Sequence, residues 1–194
     1  MTLSDIREIF AHNIEASMKA AESLPEPILM GGQRLLASLL EGGRILCIGD
    51  VATNGLAGYL CSRLLSPFDR ERPPLPALAI GSDLIAQNVG IPGQRENDRY
   101  SRPVRALGQA GDTLVVLSGL LEDPARLEAI RAAHDRDMPV LLICPESHHQ
   151  ELALLNNHDV TIPIPSDNPA RLMEIQLLII HALCDHIDQQ LFGE

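Results

Sequence analysis

Ile45-Leu-Cys-Ile48 is an uninterrupted apolar run that stops at Gly49. Small and polar residues follow to Gly55. From Leu56 the apolar positions recur at helical spacing, at Leu56, Leu60, Leu64 and Leu65. A continuous apolar run suits a strand buried on both faces, and the change of period marks a helix packed against it. Strand, tight turn and helix open a βαβ unit, which commits the chain to a parallel sheet.

The pattern continues downstream. Residues 77–80, 113–117, 140–143 and 160–162 read as four further strands. Helices are expected over 83–89, 100–107 and 124–136, with a helical turn at 152–155. Asn168 is a good N-cap and Pro169 a good first helical residue. The helix they start carries Leu172, Ile175, Ile179, Leu183 and Ile187 on one face to about Leu191. Ahead of the first strand, Leu3, Ile6, Phe10, Ile14 and Met18 mark a helix over 3–22. A second is expected from about Ile28 to Leu40, between Leu24-Pro-Glu-Pro27 and Gly42-Gly43. The expected fold is therefore α/β, a single domain over 44–194 with five parallel strands flanked by helices and a long C-terminal helix. Two N-terminal helices over 1–43 precede it. They have no strand to cover in sequence order, and an oligomerisation segment is their expected use.

With 194 residues the chain can bury a full core. A net charge of −11 argues against direct contact with nucleic acid, which requires basic patches. No apolar run approaches the roughly 18 residues that a membrane helix needs. Cys47, Cys61, Cys144 and Cys184 lie far apart, in expected strands and helices, which reads as reduced thiols of a cytoplasmic protein.

In such a sheet, ligands bind beyond the carboxyl ends of the strands, so the loops 49–53, 81–83, 118–123 and 145–150 carry the candidates. Gly49 and Thr53 stand where backbone N–H groups and a hydroxyl meet a phosphate at a helix N-terminus, but the carboxylate of Asp50 opposes that use. Ser118 and Thr53 serve equally well as phosphate ligands or as helix caps. The loop Leu117-Ser-Gly-Leu-Leu-Glu-Asp-Pro124 is poor in hydroxyls and rich in acids, a poor phosphate cradle. His148 and His149, with Cys144, Glu146 and Glu151 nearby, match no metal-ligand spacing and read as solvated loop histidines. His181 and His186 are five residues apart, too far round a helix to chelate together. Glu174 is an acid–base candidate or a salt-bridged residue of the first helical turns. Leu191-Phe192 is an apolar pair at a polar chain end, suited to packing under another subunit or to a partner-binding patch.

Several segments resemble the sugar isomerase (SIS) family, in the branch that holds phosphoheptose isomerases and the initiator-associating protein DiaA. They are Ala20-Ala-Glu-Ser-Leu-Pro25, Glu71-Arg-Pro-Pro-Leu-Pro-Ala77, Val104-Arg-Ala-Leu-Gly-Gln-Ala-Gly-Asp112 and Leu183-Cys-Asp-His-Ile-Asp-Gln-Gln-Leu-Phe192. The resemblance implies a flavodoxin-like strand order and a homotetramer. It also exposes departures from the isomerase pattern. The loop Gly-Asn-Gly-Gly-Ser is here Gly49-Asp-Val-Ala-Thr53, and the phosphate loop Ser-Thr-Ser-Gly-Asn-Ser is here Ser118-Gly-Leu-Leu-Glu-Asp123. A metal-binding His and a catalytic Glu align with Tyr59 and Arg63. A His of the last helix becomes Gln176, while Glu174 is kept. An arginine cannot act as the base of an aldose–ketose isomerisation, and losing both histidines removes the metal site, so no zinc is expected. The expectation is a non-catalytic, DiaA-like cytoplasmic homotetramer that assembles the replication initiator DnaA, using Leu191 and Phe192 as contacts. The alternatives are a phosphoheptose isomerase with Glu174 as the remaining base, or a phosphosugar sensor using Gly49, Thr53, Ser118 and Glu174.

Overall fold

The computed structural model describes residues 1–67, 71–81 and 97–193. In chain order the elements are α1 (Leu3–Ser23), α2 (Pro25–Leu40), β1 (Ile45–Gly49), α3 (Asn54–Leu65), β2 (Ala77–Ala79), α4 (Asp98–Leu107), β3 (Thr113–Leu117), α5 (Pro124–His134), β4 (Val140–Pro145), α6 (His149–Leu152), β5 (Val160–Ile164) and α7 (Pro169–Phe192). The helix expected over 83–89 lies outside the described residues.

Local chemistry sets the boundaries. The Thr2 hydroxyl accepts from the Asp5 N–H while the Asp5 carboxylate accepts from the Thr2 N–H, a capping box that starts α1. Asn168 Oδ1 accepts from the N–H groups of Ala170 and Arg171 and starts α7. Helix α2 begins at Pro25 rather than near Ile28, because a proline at the first helical position loses no hydrogen bond. Strand β5 runs through Pro163 to Ile164, which its place at the sheet edge allows. The short helix after β4 starts at His149, ahead of the expected turn.

The sheet is parallel throughout, in the order β2-β1-β3-β4-β5. Alternate residues of each strand feed two cores. Ile45, Cys47, Val115, Leu117, Leu141 and Ile143 face α2, α3 and α7; Leu46, Ile48, Leu114, Val116, Val140 and Leu142 face α4 and α5. Strand direction is common to all five, so every carboxyl end opens on the same edge, and the order reverses between β1 and β3.

The segment 1–43 is divided in its packing. Helix α2 joins the domain core, with Leu35 fully buried and Gly31 pressed against Leu141 and Ile162. Helix α1 lies on α7 and leaves Leu3, Phe10, Ile14 and Met18 largely exposed. Arg72 locks α3 to α7. Its side chain is fully buried, with Nε 2.6 Å from Asp188 Oδ1 and the terminal nitrogens donating to the carbonyls of Leu64 and Arg63. Those carbonyls belong to the last turn of α3 and have no partner within the helix. All four cysteines are free and buried, Cys47, Cys61 and Cys184 on one side of the sheet and Cys144 on the other.

Candidate active site at the strand tips

The β1 and β3 ends are tied together by side chains that sequence reasoning had aimed at a ligand. Thr53 and Ser118 are fully buried. The Thr53 hydroxyl lies 2.6 Å from the Leu117 carbonyl, to which it donates, and accepts from the Asp50 N–H at 2.9 Å. The Ser118 hydroxyl donates to Glu151 at 2.6 Å. Neither hydroxyl is presented to a phosphate. The backbone of Gly49 turns so tightly that a Cβ there would stand 2.6 Å from the Thr53 carbonyl carbon, and its own carbonyl accepts from the Tyr100 hydroxyl.

Behind these loops lies an ionic cluster. Arg126, at 0% exposure, donates from Nε to Glu151 at 2.5 Å, from Nη1 to Asp50 at 2.8 Å and from Nη2 to the Leu121 carbonyl at 2.7 Å. His148 was expected in solvent, yet it is buried. Its Nδ1 lies 3.3 Å from Glu151 Oε2 and its Nε2 3.1 Å from the Leu120 carbonyl. Both partners are acceptors, so both ring nitrogens are satisfied only when both carry protons. The hydrogen bond to Glu151 raises the His148 pKa, against the opposing effect of burial. Burial pushes Glu151 up, but His148, Arg126 and Ser118 together outweigh it and hold the carboxyl below its ordinary range.

A pH dependence follows. A histidine whose folded pKa is raised adds stability that is complete below its unfolded value and is lost as pH rises through the folded one. Thermal melts from about pH 6 to about pH 9 are expected to show a falling transition as pH climbs above the ordinary histidine value, and His148→Gln to flatten that decline. A slope unchanged by the substitution would remove His148 as its source.

The second constellation lies between α3 and α7. The Tyr59 hydroxyl is 3.0 Å from His181 Nε2, with the two rings edge to face. The Arg63 guanidinium sits 5.5 Å from the Tyr59 ring centroid, and its Nε is buried without a partner among the described residues. Gln176, fully buried, donates to the Ser118 carbonyl at 2.8 Å and so ties α7 to the β3 tip. His181 follows five residues later, about 7.5 Å further along the helix axis. Glu174 is half-buried and committed to Asn13 at 2.7 Å and to Arg171 at 2.8 Å, the salt-bridged alternative. His181 was set aside in the sequence because it cannot chelate with His186. Its spacing of seven from Glu174 puts both on one stripe of the helix, and that was the available signal.

The family resemblance carries a metal ligand to the position of Tyr59, and the donors found here do not suit one. A guanidinium stands beside the phenol, and the Gln176 amide donates to a backbone carbonyl. Among the described residues no three His, Cys, Asp or Glu side chains come together to hold an ion.

The model of the SIS domain matches residues 9–144. The chain belongs to the SIS family. A phosphoheptose isomerase of Chromohalobacter salexigens is 39% identical over 184 residues, covering 95% of this chain and 93% of that protein. Among solved structures, a phosphoheptose isomerase from Francisella tularensis superposes with a TM-score of 0.91 at 33% identity, covering 97% of this SIS chain and all of that one. The phosphoheptose isomerase GmhA from Neisseria gonorrhoeae gives 0.89 at 31%, with the same coverage.

These likenesses correct the expectation of a non-catalytic DiaA-like scaffold for DnaA. Relatives aligned over nearly the whole chain are phosphoheptose isomerases, which fits the isomerase alternative and gives no support to the lean away from an enzyme. The departures at Tyr59 and Arg63 were read as loss of proton-handling groups, but that reading missed His181, which the fold places against Tyr59. Of the proposed contact pair, Leu191 packs against the larger core while Phe192 remains 39% exposed. No helix among the described residues is long and apolar enough to cross a membrane.

Proposed function

We propose that this SIS protein is an aldose–ketose isomerase of the phosphoheptose isomerase type, interconverting sedoheptulose 7-phosphate and an aldoheptose 7-phosphate. The full-length likeness to phosphoheptose isomerases supports the reaction class, and the Tyr59–His181 pair supplies a base to run it. His181 takes the proton from C1 of the ketose. The C1–H electron pair becomes the C1=C2 bond as the carbonyl pair moves onto O2, giving an enediolate. The imidazolium returns a proton to C2 while the O1 proton passes to O2, which completes the aldose. Tyr59 orients the imidazole, and Arg63 stands where positive charge stabilises the enediolate oxygen. This assigns Arg63 a role as electrophile that suits a cation at a position where the family carries a carboxylate. Glu174, engaged by Asn13 and Arg171, serves structure rather than chemistry.

The protein works as a cytoplasmic homotetramer in this reading. The apolar residues that α1 and α7 leave exposed, among them Phe10, Ile14 and Leu178, suit contacts between copies. Buried free thiols suit a reducing compartment.

The test is turnover of sedoheptulose 7-phosphate by the purified protein, followed by NMR of the sugar protons in deuterated water. Conversion with deuterium appearing at C2 is the expected result. Arg63, a guanidinium at the position where the family resemblance places a carboxylate base, favours a second reading in which the sugar phosphate binds without reacting. Thermal stabilisation by the sugar phosphate with no conversion would select that reading, since binding to the native state alone raises the apparent stability.

A further inference from the structure

We propose that Asp50 is this chain's own anion: its carboxylate fills a cradle of donors between the β1 and β3 loops, and a phosphorylated ligand must displace it to bind there. The inference takes the class of its ligand from the phosphosugar reading.

The contacts fall into two kinds. Asp50 Oδ1 accepts from the N–H groups of Ala52 at 2.9 Å and Thr53 at 3.0 Å. Such bonds are what an aspartate ahead of a helix makes with its own backbone. Oδ2 does something different. It accepts from the N–H of Gly119 at 2.8 Å and from Arg126 Nη1 at 2.8 Å, donors 69 and 76 residues away in the chain. One carboxylate thus collects backbone N–H groups from two loops and a guanidinium from α5. Converging N–H groups with a buried arginine form the set that recognises an anionic oxygen group.

Two further features fit a carboxylate held in cis. Gly119 makes room for it: a Cβ there would stand 2.5 Å from Asp50 Oδ2, so only glycine allows the approach. The charges also close. Asp50 and Glu151 are balanced by Arg126 and by His148 with both nitrogens donating. Deleting the Asp50 charge leaves Arg126 and His148 sharing the Glu151 carboxylate, beside loop N–H groups that have lost their acceptor. A cavity of about 430 Å³ opens beside the carboxylate, lined by Val51, Ala52, Leu120 and Leu121 and by the acidic residues Glu122 and Asp123, of which Asp123 is paired with Arg99, and gives room for the carbon skeleton of a displacing ligand.

The probe is inorganic phosphate, titrated into the full-length protein by calorimetry. Asp50→Ser, which clears the cradle, is expected to bind phosphate at least about tenfold more tightly than the unchanged chain. Asp50→Asn keeps the side-chain volume and removes the charge; it is expected to fall between the two, and it carries the test if the serine variant does not fold. Equal phosphate affinity in the unchanged chain and in a variant with a native thermal transition would overturn the proposal. Because phosphate titration reads the cradle without turnover, its outcome is separable from that of the isomerase assay. Sugar-phosphate conversion can fail while the cradle opens, and the reverse.

Discussion

Arg126→Met is expected to destabilise the protein by about 3–5 kcal/mol, the range for removing one partner of a buried ion pair. Most of that loss would come from what is left behind. Glu151 is almost fully buried and Asp50 partly so; without the guanidinium both carboxylates lose a charged donor, and Glu151 keeps His148 as its positive partner among the described residues. The Leu121 carbonyl loses a donor as well. The measurement is urea denaturation with far-UV detection, read as a shift in midpoint at constant slope. A double-mutant cycle with Glu151→Gln tells whether the loss comes from the pair: the combined variant should be less destabilised than the sum of the two single changes. Additive losses would mean that the loss does not come from the pair with Glu151.

His181→Ala is expected to lower kcat for sedoheptulose 7-phosphate by about 10²–10⁴, the usual contribution of a positioned general base, with KM little changed. Tyr59→Phe removes the hydrogen bond that orients the ring and should cost less than deleting the imidazole. Glu174→Gln discriminates between the two possible bases. If Glu174 abstracts the proton, that variant carries the large loss and His181→Ala the small one, which would reverse the assignment. Deuterium incorporation at C2 is the finer readout: a variant that still binds but cannot move the proton shows neither conversion nor label.

The sheet was legible because its strands are apolar without interruption. Thr113–Leu117 and Ile45–Gly49 are buried at every residue, and a run of that kind has few other structures open to it. Capping residues marked α7 for a similar reason: Asn168 and Pro169 act on their immediate neighbours. Side-chain direction was the harder matter. Thr53 and Ser118 were rightly placed at the strand tips, yet the direction of each hydroxyl depends on a partner in another loop. His148 looked like a loop histidine until Leu120, 28 residues away, and Glu151 enclosed it. Tyr59 and His181 are 122 residues apart, and only the packing of α3 beside α7 makes them one site. Tyr59 and Arg63 stand out in the sequence as departures from the family pattern, whereas the reach of His181 to Tyr59 exists only in the fold. The objection to phosphate raised by Asp50 was legible. That Asp50 would take the donors for itself was not, because Gly119 and Arg126 come from beyond the next strand.

The four cysteines give the protein a built-in reporter of its own opening. Burial holds the thiols of Cys144 and Cys184 up at about 12, and the Cys61 neighbour together with burial raises Cys47 further from reactivity. A thiol reagent therefore meets little thiolate in the closed molecule. Labelling proceeds when a face of the sheet comes apart. Cys144 answers for the α4–α5 side, and the other three for the side covered by α2, α3 and α7. The order in which the sulfurs are modified is then a record of which layer peels away first, written by residues that take no part in the chemistry at the strand tips.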